Sequence, residues 1–208
     1  MDKKQVVWIN CAKLIAILAV MTDHVYSILA PGASFQYVTW FSVSLFILLS
    51  GMTAFMTGDK LEGMSWLRSF WSKSRKILTA YLAAVLVYEL IAVRSFDLLS
   101  YLNLLVHFNA SGPLYFVALY LQLMLLCKPL FMLIKKMPAG RKGIFAEILV
   151  GGIIVAGSVF TTNYTNILDI YGGGGKLFGG TYLILFYLGM LAAKHRWFFS
   201  SEIGRAHV

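Results

Sequence analysis

Val6-Val7-Trp8-Ile9-Asn10-Cys11-Ala12-Lys13-Leu14-Ile15-Ala16-Ile17-Leu18-Ala19-Val20-Met21-Thr22-Asp23-His24-Val25-Tyr26-Ser27-Ile28-Leu29 is an apolar run that carries Lys13, Asp23 and His24 inside it. A helix needs about 20 predominantly apolar residues to cross the hydrocarbon core of a bilayer, and this run supplies them. Five more runs follow, over residues 36–57, 77–93, 113–134, 143–161 and 177–193. The 208-residue chain is 59% hydrophobic and only 13% charged, where a soluble domain carries about a quarter charged residues. The pattern predicts an all-α, polytopic transmembrane helical bundle with about six spans present, and it excludes one soluble globular core. Met1-Asp2-Lys3-Lys4 precedes a run too long for a signal-peptide core, and no clean small-residue cleavage site follows. The first run therefore reads as a retained span.

The formal net charge is +9. Its placement matters more than its size. Basic residues gather at Lys3 and Lys4, at Lys60, Arg68, Lys73, Arg75 and Lys76, at Lys135, Lys136, Arg141 and Lys142, and at Lys194 and Arg196. The alternate connections hold only Arg94 and Lys176. Under the positive-inside rule this alternation predicts a multi-pass protein with a cytoplasmic N-terminus. The charge thus needs no nucleic-acid partner; the partner it implies is the lipid bilayer. Cys11 and Cys127 both sit in apolar runs, and no metal-ligand spacing is present, so no metal site is expected. Residues 61–71 interleave Leu61, Met64, Trp66, Leu67, Phe70 and Trp71 with polar residues, the pattern of an amphipathic helix on the cytoplasmic leaflet. Gly172-Gly173-Gly174-Gly175-Lys176 reads as a flexible outer turn without the strand-loop-helix context of a phosphate loop.

Ionisable side chains inside a span are costly, so they direct attention to function. Lys13 and His24 are separated by three turns plus roughly 20°, which puts them on one helix face about 16 Å apart along the axis. Bland readings stand beside this one. Lys13 can snorkel to the headgroups, and His24 can be a structural histidine satisfied by Asp23 or by a backbone carbonyl.

The pattern Lys13-x10-His24 within Trp8 to His24 resembles the opening of acyltransferase family 3, in which a basic residue precedes a His by the same interval in the first span. Further motifs follow in order. Phe46-Ile47-Leu48-Leu49-Ser50-Gly51 resembles the family's Phe-x-x-x-Ser-Gly segment closing the second span. Lys73-Ser74-Arg75-Lys76 resembles its Arg-x-x-Arg stretch, with lysines at both arginine places. Leu114-Tyr115-Phe116-Val117 stands where the family has Trp-Phe-Leu, with Tyr115 in place of Trp. The resemblance covers residues 6–195.

The resemblance implies a membrane-bound O-acyltransferase of the bacterial plasma membrane. It would move an acyl group, expected to be acetyl, from cytoplasmic acyl-CoA to a hydroxyl of a cell-surface or exported glycan. The acceptor would be that glycan or a lipid-linked sugar. Acetyl-CoA is then a donor substrate, and no bound cofactor is expected. His24 is the candidate general base, since a neutral imidazole can take the proton of an attacking hydroxyl. Lys13 is placed with it to orient donor or base. Lys73, Lys76 and Arg75 are the candidates for holding the donor's phosphates, although basic residues at a cytoplasmic helix end also serve topology alone. Ser50 and Gly51 are expected to let helices approach closely.

Glu89 and Arg94 read as structural or interfacial, Lys128 as snorkelling, and His107, beside Asn109 and Ser111, as a weaker acceptor-contact candidate. Family members have about ten spans, so residues 1–201 read as a partial acyltransferase domain, expected to be inactive by itself. Ile203-Gly204-Arg205-Ala206-His207-Val208 matches the translation of a common sequencing adapter, so residues 202–208 are expected to be a non-native tail; the alternative is a genuine short tail. Two other functions stay open. A transporter or flippase would use Lys13, Asp23, His24 and Glu89 as a polar path, and a non-catalytic membrane scaffold would need none of them.

Overall fold

The computed structural model describes residues 3–29, 39, 41–93, 97–164 and 176–196. The glycine run at 172–175, Arg94 and the tail at 202–208 lie outside the described residues. Among those described there is no strand. Among the described residues seven α-helices carry the fold: α1 (Lys3–Leu29), α2 (Phe41–Met56), α3 (Trp66–Tyr88), α4 (Leu98–His107), α5 (Tyr115–Lys136), α6 (Arg141–Tyr164) and α7 (Tyr182–Lys194). The all-α expectation holds. Three helical segments among the described residues are long and apolar enough to cross a membrane: Val7–Tyr26, Gly112–Lys136 and Arg141–Asn163. The helices Phe41–Met56, Leu98–His107 and Tyr182–Lys194 are apolar but shorter.

Helix boundaries differ from the sequence reading for local reasons. The amphipathic stretch after Leu61 is not a separate surface helix, because Trp66 already begins α3, which runs unbroken to Tyr88. Ser65 starts it: its extended backbone and its side-chain oxygen, which accepts from the Arg68 N–H at 3.3 Å, form an N-cap. α4 falls where the sequence reading had only a loop. Asp97 caps it, accepting from the N–H groups of Leu99 at 3.3 Å and Ser100 at 3.0 Å. The last apolar run starts later than expected, because Gly179 and Gly180 take positive φ (81° and 51°) and break the chain before α7.

The chain divides into two compact units, Met1–Asp59 with Leu185–Val208, and Lys60–Ile184. In the first, α1 and α2 pack together with the end of α7. Ile9, Leu49, Met52, Ala192 and Ala193 form the buried centre, flanked by Trp8, Leu45 and Phe55. Two glycines make the α2–α7 contact possible. A Cβ at Gly51 would fall on the carbonyl of Phe186, and one at Gly189 on the carbonyl of Leu48. This is the small-residue packing that membrane helices use when no hydrophobic force draws them together.

In the second unit α3 packs on α5. Tyr81, Val85, Ala110 and Val117 make the buried centre. The Tyr81 ring stacks on Phe108 at 4.8 Å, and its hydroxyl reaches the carbonyls of Leu105 at 2.9 Å and Leu104 at 3.2 Å. Pro129 lies inside α5. Proline has no N–H, so the carbonyl of Leu125, four residues back, loses its helical donor. The indole of Trp66 replaces it, donating to that carbonyl at 2.8 Å. Two more ties hold the connector before α3 to the same end of α5. The Lys128 ammonium donates to the Met64 carbonyl, and Lys135 pairs with Glu62 at 2.7 Å. The head of Lys128 thus has a backbone partner outside its own helix.

Candidate functional site

α1 places Lys13 against α2. Its ammonium donates to the Thr53 hydroxyl at 2.9 Å and lies 5.8 Å from the centre of the Phe46 ring. The contact explains how a half-buried cation is tolerated on an apolar helix. One hydroxyl accepts from it, and the negative face of an aromatic ring lies within cation–π range. Thr53 can accept because its own proton is spent on the Leu49 carbonyl at 2.8 Å. Ser50, one turn before, likewise donates to the Phe46 carbonyl at 2.7 Å. The basic residue of the first motif thus meets the phenylalanine that opens the second. The head of Lys13 is thus held by α2.

Farther along α1, Asp23 accepts from the Thr39 hydroxyl at 3.0 Å. His24 is half-buried on the same helix, about 16 Å along the axis from Lys13. Thr22 donates back to the Leu18 carbonyl at 2.9 Å. Gly51 serves close packing, as expected of the Ser50-Gly51 pair, with the Ser50 hydroxyl satisfied within its own helix. Sequence reading missed Thr53 and Thr39. The signal for Thr53 was present, seven residues after Phe46 and so on nearly the same helix face, but its partner lies 40 residues away.

The second set of candidates lies on α3. Lys73 is half-buried, while Arg75 and Lys76 are exposed. Arg75 is about 200° around the helix from Lys73, so the two point to different sides. Burial pushes the Lys73 ammonium below its ordinary value of 10.5; nearby Cys127 on α5 works against that shift and Lys60 adds to it. Lys73 stands ahead of the apolar stretch that begins at Ile77. Ser69 and Ser74 flank it, both buried, with neither hydroxyl meeting a hydrogen-bond partner among the described residues. Tyr115 and Phe116 are half-buried at the start of α5, and His107 is half-buried in the last turn of α4. Among the described residues no group of three or more His, Cys, Asp or Glu side chains could hold a metal ion.

Each unit carries its own candidates: Lys13 and His24 on α1 in the first, Lys73, Arg75 and Lys76 on α3 in the second. No curated protein and no solved structure matches the chain. Residues 6–206 match the family model described as an acyltransferase domain. That match takes in nearly the whole sequence and agrees with the ordered motifs at Lys13, His24, Phe46, Ser50 and Lys73, and so the chain belongs to acyltransferase family 3.

Proposed function

We propose that the protein is an O-acyltransferase of the bacterial plasma membrane that moves acetyl from cytoplasmic acetyl-CoA to a hydroxyl of a cell-surface or exported glycan. The observation that carries the reading is the seating of Lys13 on Thr53 and Phe46, which ties the first-span motif to the second. A lysine held in this way fixes the rotation of α1, and with it the direction in which His24 faces.

In the proposed reaction the neutral imidazole of His24 accepts the proton of the acceptor hydroxyl as its oxygen attacks the thioester carbonyl. The tetrahedral intermediate collapses with cleavage of the carbon–sulfur bond. The CoA thiolate leaves and takes up the proton from the imidazolium, so no net charge or proton is gained. Lys73 and Lys76 contribute cations for the phosphates of the donor, with Arg75 adding to the local positive field. Lys is a point charge and lacks the two-pronged contact of Arg, so donor binding here rests on charge more than on directed hydrogen bonds.

The test uses the protein expressed from its native locus, read through the codon for Ser201 and whatever follows there. Membranes receive acetyl-labelled acetyl-CoA, and label is followed into polysaccharide. Transfer by the native protein and its loss in folded His24→Ala support the enzyme. A transporter would leave acetyl-CoA unconsumed, and a scaffold would retain its cellular role with His24→Ala.

A further inference from the structure

Between Glu62 and Glu89 the sequence holds no acidic residue, while Arg68, Lys73, Arg75 and Lys76 are basic. α3 therefore has no acid of its own to pair them, and Glu62, just before it, is engaged by Lys135 at 2.7 Å. Arg68, Arg75 and Lys76 are exposed, and among the described residues no ion pair or side-chain hydrogen bond engages them. The first half of the helix thus presents cations that the chain itself leaves uncompensated.

These cations have a definite place on the helix. Arg75 lies within about 20° of Arg68 around α3 and about 10 Å farther along it. Trp71 falls between them in height, about 60° to one side, and is 57% exposed. Farther along the same face, within about 40° of the Arg68 line, stand Leu82 and Leu86, both exposed. The opposite side, with Ser74, Tyr81 and Val85, is buried. One exposed face thus changes character along its length, from two guanidinium groups flanking an indole to bare hydrocarbon. Lys73 lies about 140° around the helix from Arg68, so this column is distinct from the half-buried lysine proposed for the donor. The Ser65 cap and the bond from Trp66 to the Leu125 carbonyl fix the start of α3 and so the direction of the face.

We propose that the exposed Arg68–Trp71–Arg75 column is a docking site for an anionic phospholipid, with the phosphate held by the two arginines and the acyl chains lying along Leu82 and Leu86. The charge is complementary: basic side chains at a membrane surface attract anionic headgroups, and a guanidinium meets a phosphate with two parallel hydrogen bonds. The indole belongs at that level, since tryptophan settles where hydrocarbon gives way to headgroups. A merely solvated helix face has no use for an exposed tryptophan between two arginines. An acidic peptide would answer the charges but leave Leu82 and Leu86 uncovered. A phospholipid answers both, because its own polarity changes from phosphate to hydrocarbon in the same order as the face. The site asks nothing of the acyl-transfer chemistry and stands whether or not that reading holds. Its effect on the fold is to hold α3 at a set depth through the side opposite Tyr81 and Val85.

The protein expressed from its native locus is reconstituted into vesicles of phosphatidylcholine and phosphatidylglycerol. Two vesicle sets share one composition and differ only in which lipid carries bromine on its chains near the headgroup; bromine quenches an indole that it touches. The difference between native protein and Trp71→Phe isolates the Trp71 signal. Brominated phosphatidylglycerol is expected to quench Trp71 at least about twofold more than the same amount of brominated phosphatidylcholine, because the arginines enrich the anionic lipid beside the indole. The preference should disappear in the Arg68→Gln/Arg75→Gln double variant, which keeps Trp71. It should also fade in native protein at about 0.5 M NaCl, where exposed charges are screened, a readout that needs no substitution. Free CoA in large excess should leave it unchanged. Equal quenching by the two lipids, no quenching of Trp71 by either, or a preference that survives in the double variant would overturn the site. Loss of the preference on adding CoA would overturn it as well, by giving the column to a soluble phosphate ligand instead of a lipid.

Discussion

The indole N–H of Trp66 donates to the carbonyl of Leu125 at 2.8 Å, the acceptor that Pro129 leaves without a helical donor. A helix defect in α5 and the first residue of α3 are thus two halves of one hydrogen bond. The start of the helix that carries Lys73 is fixed by a proline on its neighbour.

Trp66→Phe keeps the ring and removes the donor. It should lower stability by about 1 kcal/mol, the usual net worth of such a bond. In a Pro129→Ala background the restored backbone N–H can serve the Leu125 carbonyl, and the effect of Trp66→Phe should largely vanish. Thermal unfolding of the four proteins in detergent checks the coupling; equal losses in both backgrounds would rule it out.

Gly51→Ala and Gly189→Ala should each destabilise the first unit by roughly 1–3 kcal/mol, the range for overpacking a tight contact. Their added methyls would meet the backbone of Phe186 and of Leu48, which cannot rotate away. Gly152 has nothing within 4 Å of a Cβ, so Gly152→Ala should be neutral or stabilising by about 0.5–1 kcal/mol through helix propensity alone. Unfolding midpoints of the three variants separate close packing from propensity.

Thr53→Val preserves shape and removes the acceptor for Lys13. Loss of a hydrogen bond to a charged group should cost roughly tenfold in acetyl transfer, by loosening the placement of α1. If Lys13 acts through this contact, Lys13→Met with Thr53→Val should be little worse than Lys13→Met alone. Additive losses in a double-mutant cycle would detach Thr53 from the role of Lys13.

The half-buried Lys73 gives two pH effects of opposite sign. Its ammonium gives up its proton below the ordinary 10.5 because burial disfavours the charge. Between the lowered value and 10.5 the unfolded chain binds more protons at this site than the folded one, so folding stability rises with pH across that window. Donor binding needs the cation and should fall across the same window. Lys73→Arg stays charged and should abolish both slopes. Donor KM and thermal stability measured from neutral to alkaline pH test this, and parallel slopes in native and Lys73→Arg protein would contradict it.

Much of this architecture is legible in the residue order. Apolar runs separated by basic clusters lead to an all-helical membrane protein, and Lys13-x10-His24 with Phe46-x-x-x-Ser50-Gly51 leads to the family. Other features needed the fold. Counting apolar residues merged the turn at Phe178 to Gly180 with α7, although the paired glycines mark a break. α4 escaped notice because ten residues cannot span a bilayer, yet Asp97 two residues before Leu99 is a readable cap. Pro129 announces a free carbonyl at Leu125, but nothing local says that Trp66 will claim it. Glu89 reads as a structural acid in sequence; that its carboxylate is buried without a hydrogen-bond partner among the described residues is a property of what packs around it.

The interlock of Gly51 with Phe186 and of Leu48 with Gly189 also has a consequence for biogenesis. α1 and α2 leave the ribosome early, but the helix that completes their packing is among the last described. At roughly 5–20 residues per second, the wait is on the order of 7–26 s. During that interval the glycine face of α2 must be occupied by lipid or by an insertion chaperone, and the first unit matures only when the chain returns to it.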